Sequence, residues 1–343
     1  MVNGSKDGSF IIEEERILSE IRRRGCRKVL FQAPEGLRDQ ALRLARLVEE
    51  ECAIETYVSA NPCFGACNIA LSERSRIGAD LIVHLGHARI PEIGDEDVLY
   101  IEARSSASIA TLLEKVSPFL TNFEKIGLIT TVQHIHRLKE ATDFFSKEGK
   151  KVFIGCPKGR LVYPGQVLGC DYSTVDSIEA HVDAFLYIGG GTFHPLGAAL
   201  RTSKPVIAAD TTSLEVRCMD SLKRRLLMKR YAHIIQAKKA NSFGILIGLE
   251  PGQMNLTVAE DLRRRLMAKG FRVFRISVNI LFPNVLMDFG EIDAFINTAC
   301  PRIAFETPDY FEKPILTPEE TLILLGDKTW DEYAKEAHEK KGS

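Results

Sequence analysis

The sequence predicts an α/β fold of three pseudo-symmetric repeats, each a small four-stranded parallel sheet with flanking helices, around a central cluster. Short apolar runs alternate with segments of helical periodicity, which is the pattern of parallel sheets covered by helices on both faces. Four such runs recur three times in the same order, and each repeat carries one cysteine beyond an apolar run. A chain of 343 residues is also long for a single core, so several domains are expected.

The apolar runs are expected to be strands. In the first repeat they lie within residues 28–37, 54–62, 79–88 and 98–103; in the second within 125–134, 151–157, 182–191 and 204–210; in the third within 243–253, 271–278, 292–301 and 313–318. The predicted domains are residues 12–115, 116–220 and 221–330, with flexible tails at 1–11 and 331–343.

Helical periodicity is clear between several of these runs, at residues 37–51, 135–149 and 257–270. The last segment has Thr257 placed to cap the helix, Glu260 three residues on, and Gly270 at the exit. We therefore expect a capping box at Thr257 and a glycine C-cap.

Cys67, Cys170 and Cys300 each lie beyond the carboxyl end of a predicted strand, where open parallel sheets bind their ligands. None belongs to a CxxC pair, and zinc prefers four closed ligands or histidine among them. Three thiolates fit a 4Fe-4S cluster with one iron open to a ligand. Cys63 forms a CxxxC pair with Cys67, and we assign the cluster bond to Cys67. The remaining cysteines are expected to pack in the core: Cys26, Cys52, Cys156 and Cys218.

Composition narrows the class of protein further. The apolar fraction of 45% and charged fraction of 27% are typical of a globular protein, and a net charge of -1 gives no reason to expect nucleic acid or a membrane as a partner. The first residues lack the apolar core of a signal peptide. We therefore expect a cytoplasmic protein, in which the cysteines stay reduced and free to bind metal.

Eight stretches of the sequence resemble archaeal diphthamide synthase, the enzyme of the first step of diphthamide formation. The resemblance covers residues 12 to 318, and its most specific element is NTACPRI. The stretches are QAPEGL (32–37), GACNIA (65–70), VHLGHA (83–88), TTVQHIH (130–136), PGQVLGC (164–170), GGGTFHPLG (189–197), LEPGQ (249–253) and NTACPRI (297–303).

The resemblance implies a homodimer of three-domain subunits in which Cys67, Cys170 and Cys300 hold a 4Fe-4S cluster. It implies that S-adenosylmethionine is the co-substrate and that its Cγ–S bond is cleaved reductively, with methylthioadenosine as the by-product. The 3-amino-3-carboxypropyl group would pass to the imidazole C2 of a histidine in translation elongation factor 2. An electron donor is then needed.

Several polar residues and glycines at strand ends are candidates for the remainder of the pocket. Each has an ordinary structural alternative: a tight turn for a glycine, a bond to loop backbone for an amide, a satisfied packing role for a histidine, an ion pair for an arginine. His87 and His194 could orient the substrate imidazole or accept its proton. The candidates for binding S-adenosylmethionine are Gly189, Gly190, Gly191, Gln133, His134, Gln253 and Arg302.

Two other functions remain open at this stage. Quinolinate synthase, a dehydrating condensation enzyme, also resembles a threefold pseudo-symmetric protein with one cluster cysteine per domain. Alternatively, the chain could be a noncatalytic iron-sulfur subunit that relays electrons to a catalytic paralogue. The basic segment 217–239, with eight lysines and arginines, could dock an acidic partner, although an amphipathic helix with a solvated face explains it as well.

Overall fold

Three parallel sheets with the same strand order follow one another along the chain in the computed structural model, which describes residues 10–93, 96–280, 283–306 and 311–336. In each sheet the first strand of the domain lies between the second and the third, and the fourth lies beyond the third. All pairings among these strands are parallel. The predicted threefold α/β architecture is confirmed.

The first domain has the sheet order β3-β2-β4-β5, in which Phe31 lies opposite Val58 on one side and Val83 on the other. A small antiparallel pair, β1 and β6, lies beside it. The elements are β1 (Phe10–Ile11), α1 (Glu14–Arg24), β2 (Lys28–Gln32), α2 (Arg38–Cys52), β3 (Glu55–Val58), α3 (Leu71–Ile77), β4 (Leu81–Leu85), β5 (Val98–Ile101) and β6 (Arg104–Ser105).

The second domain has the order β11-β10-β9-β7-β8, with β11 antiparallel at the edge. Its elements are α4 (Ala110–Val116), β7 (Lys125–Thr130), α5 (Leu138–Lys147), β8 (Lys151–Ile154), α6 (Ser173–Asp176), β9 (Ala184–Ile188), α7 (Phe193–Arg201), β10 (Val206–Ala209) and β11 (Val216–Cys218).

The third domain has the order β13-β12-β14-β15. Its elements are α8 (Asp220–Ala237), β12 (Ser242–Gly248), α9 (Leu256–Ala268), β13 (Arg272–Val278), α10 (Pro283–Met287), β14 (Ala294–Asn297), α11 (Pro301–Phe305), β15 (Ile315–Leu316), α12 (Pro318–Leu325) and α13 (Trp330–Glu336). Short stretches of 3-10 helix occur at Glu35–Leu37, Ser117–Leu120, Val132–Arg137 and Glu179–His181.

Each sheet is buried on both faces, which explains why the strands read as continuous apolar runs. In β2, Val29 and Phe31 pack into one core beside α1 and α2, whereas Leu30 packs into a second core on the opposite face. The other two sheets are likewise covered on both faces. Helices on both faces leave the carboxyl ends of the strands as the exposed edge.

A single aspartate in each domain makes the same pair of hydrogen bonds and marks the repeat at residue level. Asp80, Asp183 and Asp293 directly precede the third strand of their domains. Each Oδ2 accepts the two backbone N–H groups at the start of the first strand, at 2.7–2.9 Å, 2.9–3.1 Å and 2.9–3.0 Å respectively. These bonds favour the carboxylate and lower the pKa of all three aspartates.

The boundary predicted between residues 115 and 116 is wrong, because it divides helix α4. Leu112, Leu113 and Val116 of that helix are buried in the second core together with Ile126 of β7. Helix α4 therefore belongs with the second sheet, because it packs against a face of that sheet.

Three further expectations about the sheets and tails need correction. The second sheet has five strands because β11 adds an antiparallel edge. Phe10 and Ile11, predicted to lie in a flexible tail, pair with β6, and the predicted C-terminal tail forms α13 as far as Glu336. Residues 1–9 and 337–343 lie outside the described residues.

Helix α9 begins two residues earlier than predicted, so Thr257 is not its cap. The side chain of Asn255 accepts the backbone N–H of Val258 at 3.3 Å and occupies the N-cap position. The predicted exit is confirmed, since Gly270 has a φ of 88° just beyond the helix.

Helix α8 carries the basic segment and packs two of its basic side chains inward. Lys223 is 5% exposed and donates to the Thr202 carbonyl at 2.9 Å, so its ammonium group is not available to the docking role considered for this segment. Arg224 remains exposed. Within the part of the chain that the structure describes, no helix combines the length and the apolar character needed to cross a bilayer.

Candidate metal centre

Cys67 lies in the loop between β3 and α3, held by backbone bonds from two domains. The Asn68 N–H bonds the Gly65 carbonyl at 3.0 Å and forms a turn around the cysteine. The Gly252 N–H, from the loop after β12, donates to the Cys67 carbonyl at 3.1 Å. The first cysteine is thereby fixed against the third domain.

Cys170 lies at the tip of a tight loop between β8 and α6. Leu168 and Asp171 exchange backbone hydrogen bonds of 3.0 and 3.1 Å, which leaves Gly169 and Cys170 at the turn. A Cβ at Gly169 would lie 2.2 Å from the Phe193 ring, so only glycine fits there.

Cys300 follows β14 and immediately precedes α11, with Pro301 at the first position of that helix. The side chain of Asn297, the last residue of β14, spans the loop between strand and helix. Its Nδ2 donates to the Cys300 carbonyl at 2.7 Å, and its Oδ1 accepts the Ala299 N–H at 3.1 Å. The third cysteine is therefore positioned by the strand end itself.

All three cysteines line the same cavity, of about 160 Å³, and also an adjoining cavity of about 240 Å³. The structure thus brings together the three residues that the sequence placed in separate repeats. A second group of possible metal ligands lies in the first domain, where the ligand atoms of Cys63, His84 and His87 are within 4.8 Å of one another.

Two side chains direct N–H groups at the cysteine sulfurs. Gln253 Nε2 lies 3.5 Å from Cys67 Sγ, and Arg160 Nη1 lies 3.6 Å from Cys170 Sγ. The same Arg160 nitrogen donates to the Gly252 carbonyl at 2.9 Å, which joins the second and third domains. Gln253 is a predicted site residue, but Arg160 was missed, because it precedes its cysteine by ten positions and belongs to no recognisable motif.

Burial favours the protonated thiol at two of the three cysteines. Loss of solvent raises the pKa of Cys67, and it raises the pKa of Cys300 to about 11, helped by the neighbouring cysteines. The Cys67 and Cys300 thiols therefore hold their protons near neutral pH until metal displaces them.

His87 and His194 both border the three-cysteine cavity, as expected for residues that contact a substrate. Burial lowers the pKa of each to about 4, and for His194 the charge of Arg302 acts in the same direction. Both rings are therefore neutral at physiological pH, and each offers one nitrogen lone pair. Their catalytic role stays a prediction.

Arg302 and Gln133 also line this cavity. The Arg302 guanidinium lies 5.2 Å from the centre of the Phe193 ring and forms an ion pair with Glu306. Gln133 Nε2 donates to the Gly86 carbonyl at 3.0 Å and so links the second domain to the first. Arg302 and Gln133 therefore line the cavity, and each also makes a contact with another part of the protein.

The structure does not bring His134 or the glycine run to this cavity. His134 is buried and its Nε2 lies 3.2 Å from Thr211 Oγ1. Gly191 follows β9 with a φ of 73° and donates its N–H to Asp210 at 3.0 Å, as a tight turn would require. Gly189 and Gly190 lie in the same turn, and the binding roles of all three glycines and of His134 stay predictions.

The remaining five cysteines differ in how far they are buried. Cys63 is buried beside His84 and His87, and burial raises its pKa to about 12. Cys26 is buried, as predicted, and Cys52 is partly buried. Cys156 and Cys218 are exposed, so the expectation that they pack in the core is wrong.

Gly252 permits the close approach of the third domain to Cys67. A Cβ at this position would lie 2.4 Å from Cys67 Cβ and 2.7 Å from Cys67 Cα.

We expect Gly252→Ala to displace the loop and to lower activity about 100-fold, since a shift of about 1 Å at a reacting centre has that effect. Iron content and turnover after anaerobic reconstitution measure it. Gly290→Ala, where a Cβ meets nothing within 4 Å, is the matched control; equal behaviour of the two variants would contradict the prediction.

The fold and the site together define a class: three-domain α/β proteins in which one cysteine of each domain borders a shared cavity. The family model described as "Putative diphthamide synthesis protein" matches residues 33–334. This chain belongs to that family. The membership decides against the quinolinate synthase alternative.

Named relatives agree with this family. The 2-(3-amino-3-carboxypropyl)histidine synthase of Pyrococcus horikoshii is 36% identical over 316 residues, which cover 92% of this chain and 90% of the relative. Subunit 1 of the Caenorhabditis elegans enzyme is 28% identical and aligns over 92% of this chain and 80% of its own. A crystal structure of Dph2 from Pyrococcus horikoshii with a 4Fe-4S cluster superimposes with a TM-score of 0.87 at 35% identity, covering 94% and 93% of the two chains.

Proposed function

We propose that this chain is an aminocarboxypropyl transferase that acts in the first step of diphthamide biosynthesis. It transfers the 3-amino-3-carboxypropyl group of S-adenosylmethionine to the imidazole C2 of a histidine in translation elongation factor 2. The observation that carries the proposal is the meeting of Cys67, Cys170 and Cys300 at one cavity in a member of this family.

The donor set fits a 4Fe-4S cluster held by these three cysteines. Among the described residues no carboxylate lines the cavity, and N–H groups of Gln253 and Arg160 point at two of the sulfurs, as is usual around iron-sulfur clusters. Cys67, Cys170 and Cys300 would hold such a cluster, which would supply the electron for cleavage of the Cγ–S bond.

The protein's own residues then bind, orient and enclose the reactants. Arg302 would attract the carboxylate of the methionyl group once its guanidinium exchanges Glu306 for the ligand. Apolar residues of the lining keep water from the reacting atoms: Phe64, Ala66, Ala88, Ile90, Val132, Leu168 and Phe193. His87 and His194, both neutral, are placed to hold the substrate imidazole.

We further propose that the chain works as a cytoplasmic homodimer that receives electrons from a separate low-potential donor. The relay alternative assigns the chemistry to a second subunit, so it differs from this proposal in one measurable respect. A catalytic chain forms product alone, whereas a relay subunit needs its paralogue.

The decisive experiment uses the purified chain after anaerobic cluster reconstitution. With dithionite and S-adenosylmethionine we expect methylthioadenosine, and with elongation factor 2 we expect label from the carboxypropyl group on the protein. A factor whose target histidine is replaced by glutamine should take up no label. If an intact reduced cluster forms no methylthioadenosine, the proposed chemistry is wrong; if product requires a second subunit, the relay alternative holds.

Arg160 is expected to raise the reduction potential of the cluster. Its guanidinium places a positive charge and an N–H donor beside Cys170, which favours the more negative reduced state. Arg160→Met should therefore lower the reduction potential and slow methylthioadenosine formation with a weak reductant. A redox titration followed by electron paramagnetic resonance measures the potential, with Arg224→Met at an exposed position of α8 as the control. An unchanged or higher potential in Arg160→Met would contradict this role.

A further inference from the structure

A line of buried polar side chains leads from the first sheet to the three-cysteine cavity. Gln32 ends β2, His84 lies on the neighbouring strand β4, and His87 follows that strand. His84 Nδ1 lies 2.9 Å from Gln32 Oε1, and His84 Nε2 lies 3.0 Å from His87 Nδ1. Gln32 and His84 are 2% and 0% exposed, whereas the His87 ring borders the cavity.

The orientation of the Gln32 amide is fixed by two backbone groups. Its Nε2 donates to the Asn68 carbonyl at 2.8 Å, and its Oε1 accepts the Ala70 N–H at 3.1 Å. The reversed amide would place oxygen against oxygen and N–H against N–H. Since Oε1 can only accept, the proton between Gln32 and His84 belongs to His84 Nδ1.

The proton on His84 Nδ1 also determines which nitrogen of His87 is protonated. Burial holds the pKa of His84 and of His87 below the ordinary value, so both rings are neutral and each carries one N–H. His84 uses its N–H toward Gln32, and its Nε2 must accept from His87 Nδ1. The proton of His87 therefore lies on Nδ1, and Nε2 keeps its lone pair.

We infer that Gln32 and His84 are positioning residues that hold His87 in the Nδ1–H tautomer, so that its Nε2 accepts a hydrogen bond from the N–H of the substrate imidazole. This role rests on the proposed transfer to a protein histidine. A neutral acceptor suits a neutral N–H donor better than an ammonium group in this cavity, which no carboxylate of the described residues lines. Because C2 of imidazole lies between the two nitrogens, holding one N–H also fixes the direction of C2.

The tautomer itself can be measured without turnover. Nitrogen NMR of histidine-labelled full-length chain, before cluster assembly, should show His87 protonated on Nδ1 alone. Gln32→Met removes the acceptor and should give a mixture of His87 tautomers. Gln32→Glu should keep the single tautomer, because a buried protonated carboxyl offers the same donor and acceptor as the amide. A His87 protonated on Nε2 in the unmodified chain, or a tautomer that Gln32→Met leaves unchanged, would overturn the inference.

The reconstituted enzyme provides an independent second readout. In Gln32→Met we expect methylthioadenosine formation to persist while transfer to elongation factor 2 falls roughly 10–100-fold, the size of effect seen when a supporting hydrogen bond is lost. His84→Phe, which preserves a buried ring, should behave in the same way, and His181→Phe at an exposed ring is the control. Equal loss of both activities would refute the positioning role. Absence of methylthioadenosine in the unmodified enzyme would instead refute the proposed function, with the tautomer result still standing.

Discussion

Replacement of any one of Cys67, Cys170 or Cys300 by alanine is expected to prevent assembly of a normal 4Fe-4S cluster and to reduce methylthioadenosine formation to background. Each cysteine comes from a different domain and lines the same cavity, so neither of the other two can substitute for a lost ligand. The loss should exceed the roughly 10–100-fold effect of changing a supporting residue around a metal site. Iron and sulfide content with electron paramagnetic resonance of the reduced protein measures it.

Two cysteine variants provide the control. Cys218→Ala removes an exposed thiol outside both cluster cavities, and Cys63→Ala removes a buried thiol beside the His84–His87 pair. Both are expected to assemble a normal cluster. A normal signal in all three alanine variants of the cavity cysteines would overturn the assignment, and loss of metal in Cys63→Ala would show that Cys63 is a ligand.

The second large effect concerns stability. Arg230 on α8 and Glu320 on α12 form an ion pair in which the side chains are 1% and 0% exposed. Arg230 Nε donates to Glu320 Oε1 at 2.8 Å, and Nη1 donates to the Ala304 carbonyl at 2.7 Å. Glu320→Ala leaves the guanidinium buried without its counter-charge. We expect the free energy of unfolding of the third domain to fall by about 3–5 kcal/mol.

The single tryptophan makes this change measurable in the third domain. Trp330 on α13 packs 4.9 Å from the Tyr231 ring and 5.4 Å from the Tyr333 ring, between ring centres, and the Tyr333 hydroxyl bonds Glu320 Oε1 at 3.1 Å. Urea unfolding followed by tryptophan fluorescence therefore reports on this region. Asp261→Ala, which breaks an exposed pair with Arg264, should cost less than about 1 kcal/mol. A comparable loss in the two variants would contradict the expected effect of burial.

The Arg230–Glu320 pair also shows a limit of sequence reasoning. The periodicity of residues 217–239 predicts an amphipathic helix, and Leu226, Leu227 and Ile234 are buried as expected. Arg230 lies on the same buried side, although its residue type predicts solvent. Its partner is 90 positions further along the chain, so no local pattern indicates the pairing.

Much of the site could be predicted because it depends on strand ends. Cys67, Cys170, Cys300, His87 and His194 all follow apolar runs, and the carboxyl ends of parallel strands meet at one edge. Gly189 to Gly191 and His134 follow strands as well, yet they face other neighbours. A position after a strand narrows the candidates, but the path of the loop decides where the side chain lies.

The sequence by itself determined the threefold α/β architecture, the strand positions and the three cysteines, because apolar periodicity and strand exits are local properties of the chain. The tertiary structure alone decided that Arg160 and Gln253 face cysteine sulfurs, that Gly252 must lack a side chain beside Cys67, and that Gln32 sets the tautomer of His87 through His84. Each of these relations joins residues far apart in sequence. They exist only because three sheets bring the loops at their strand ends against one another.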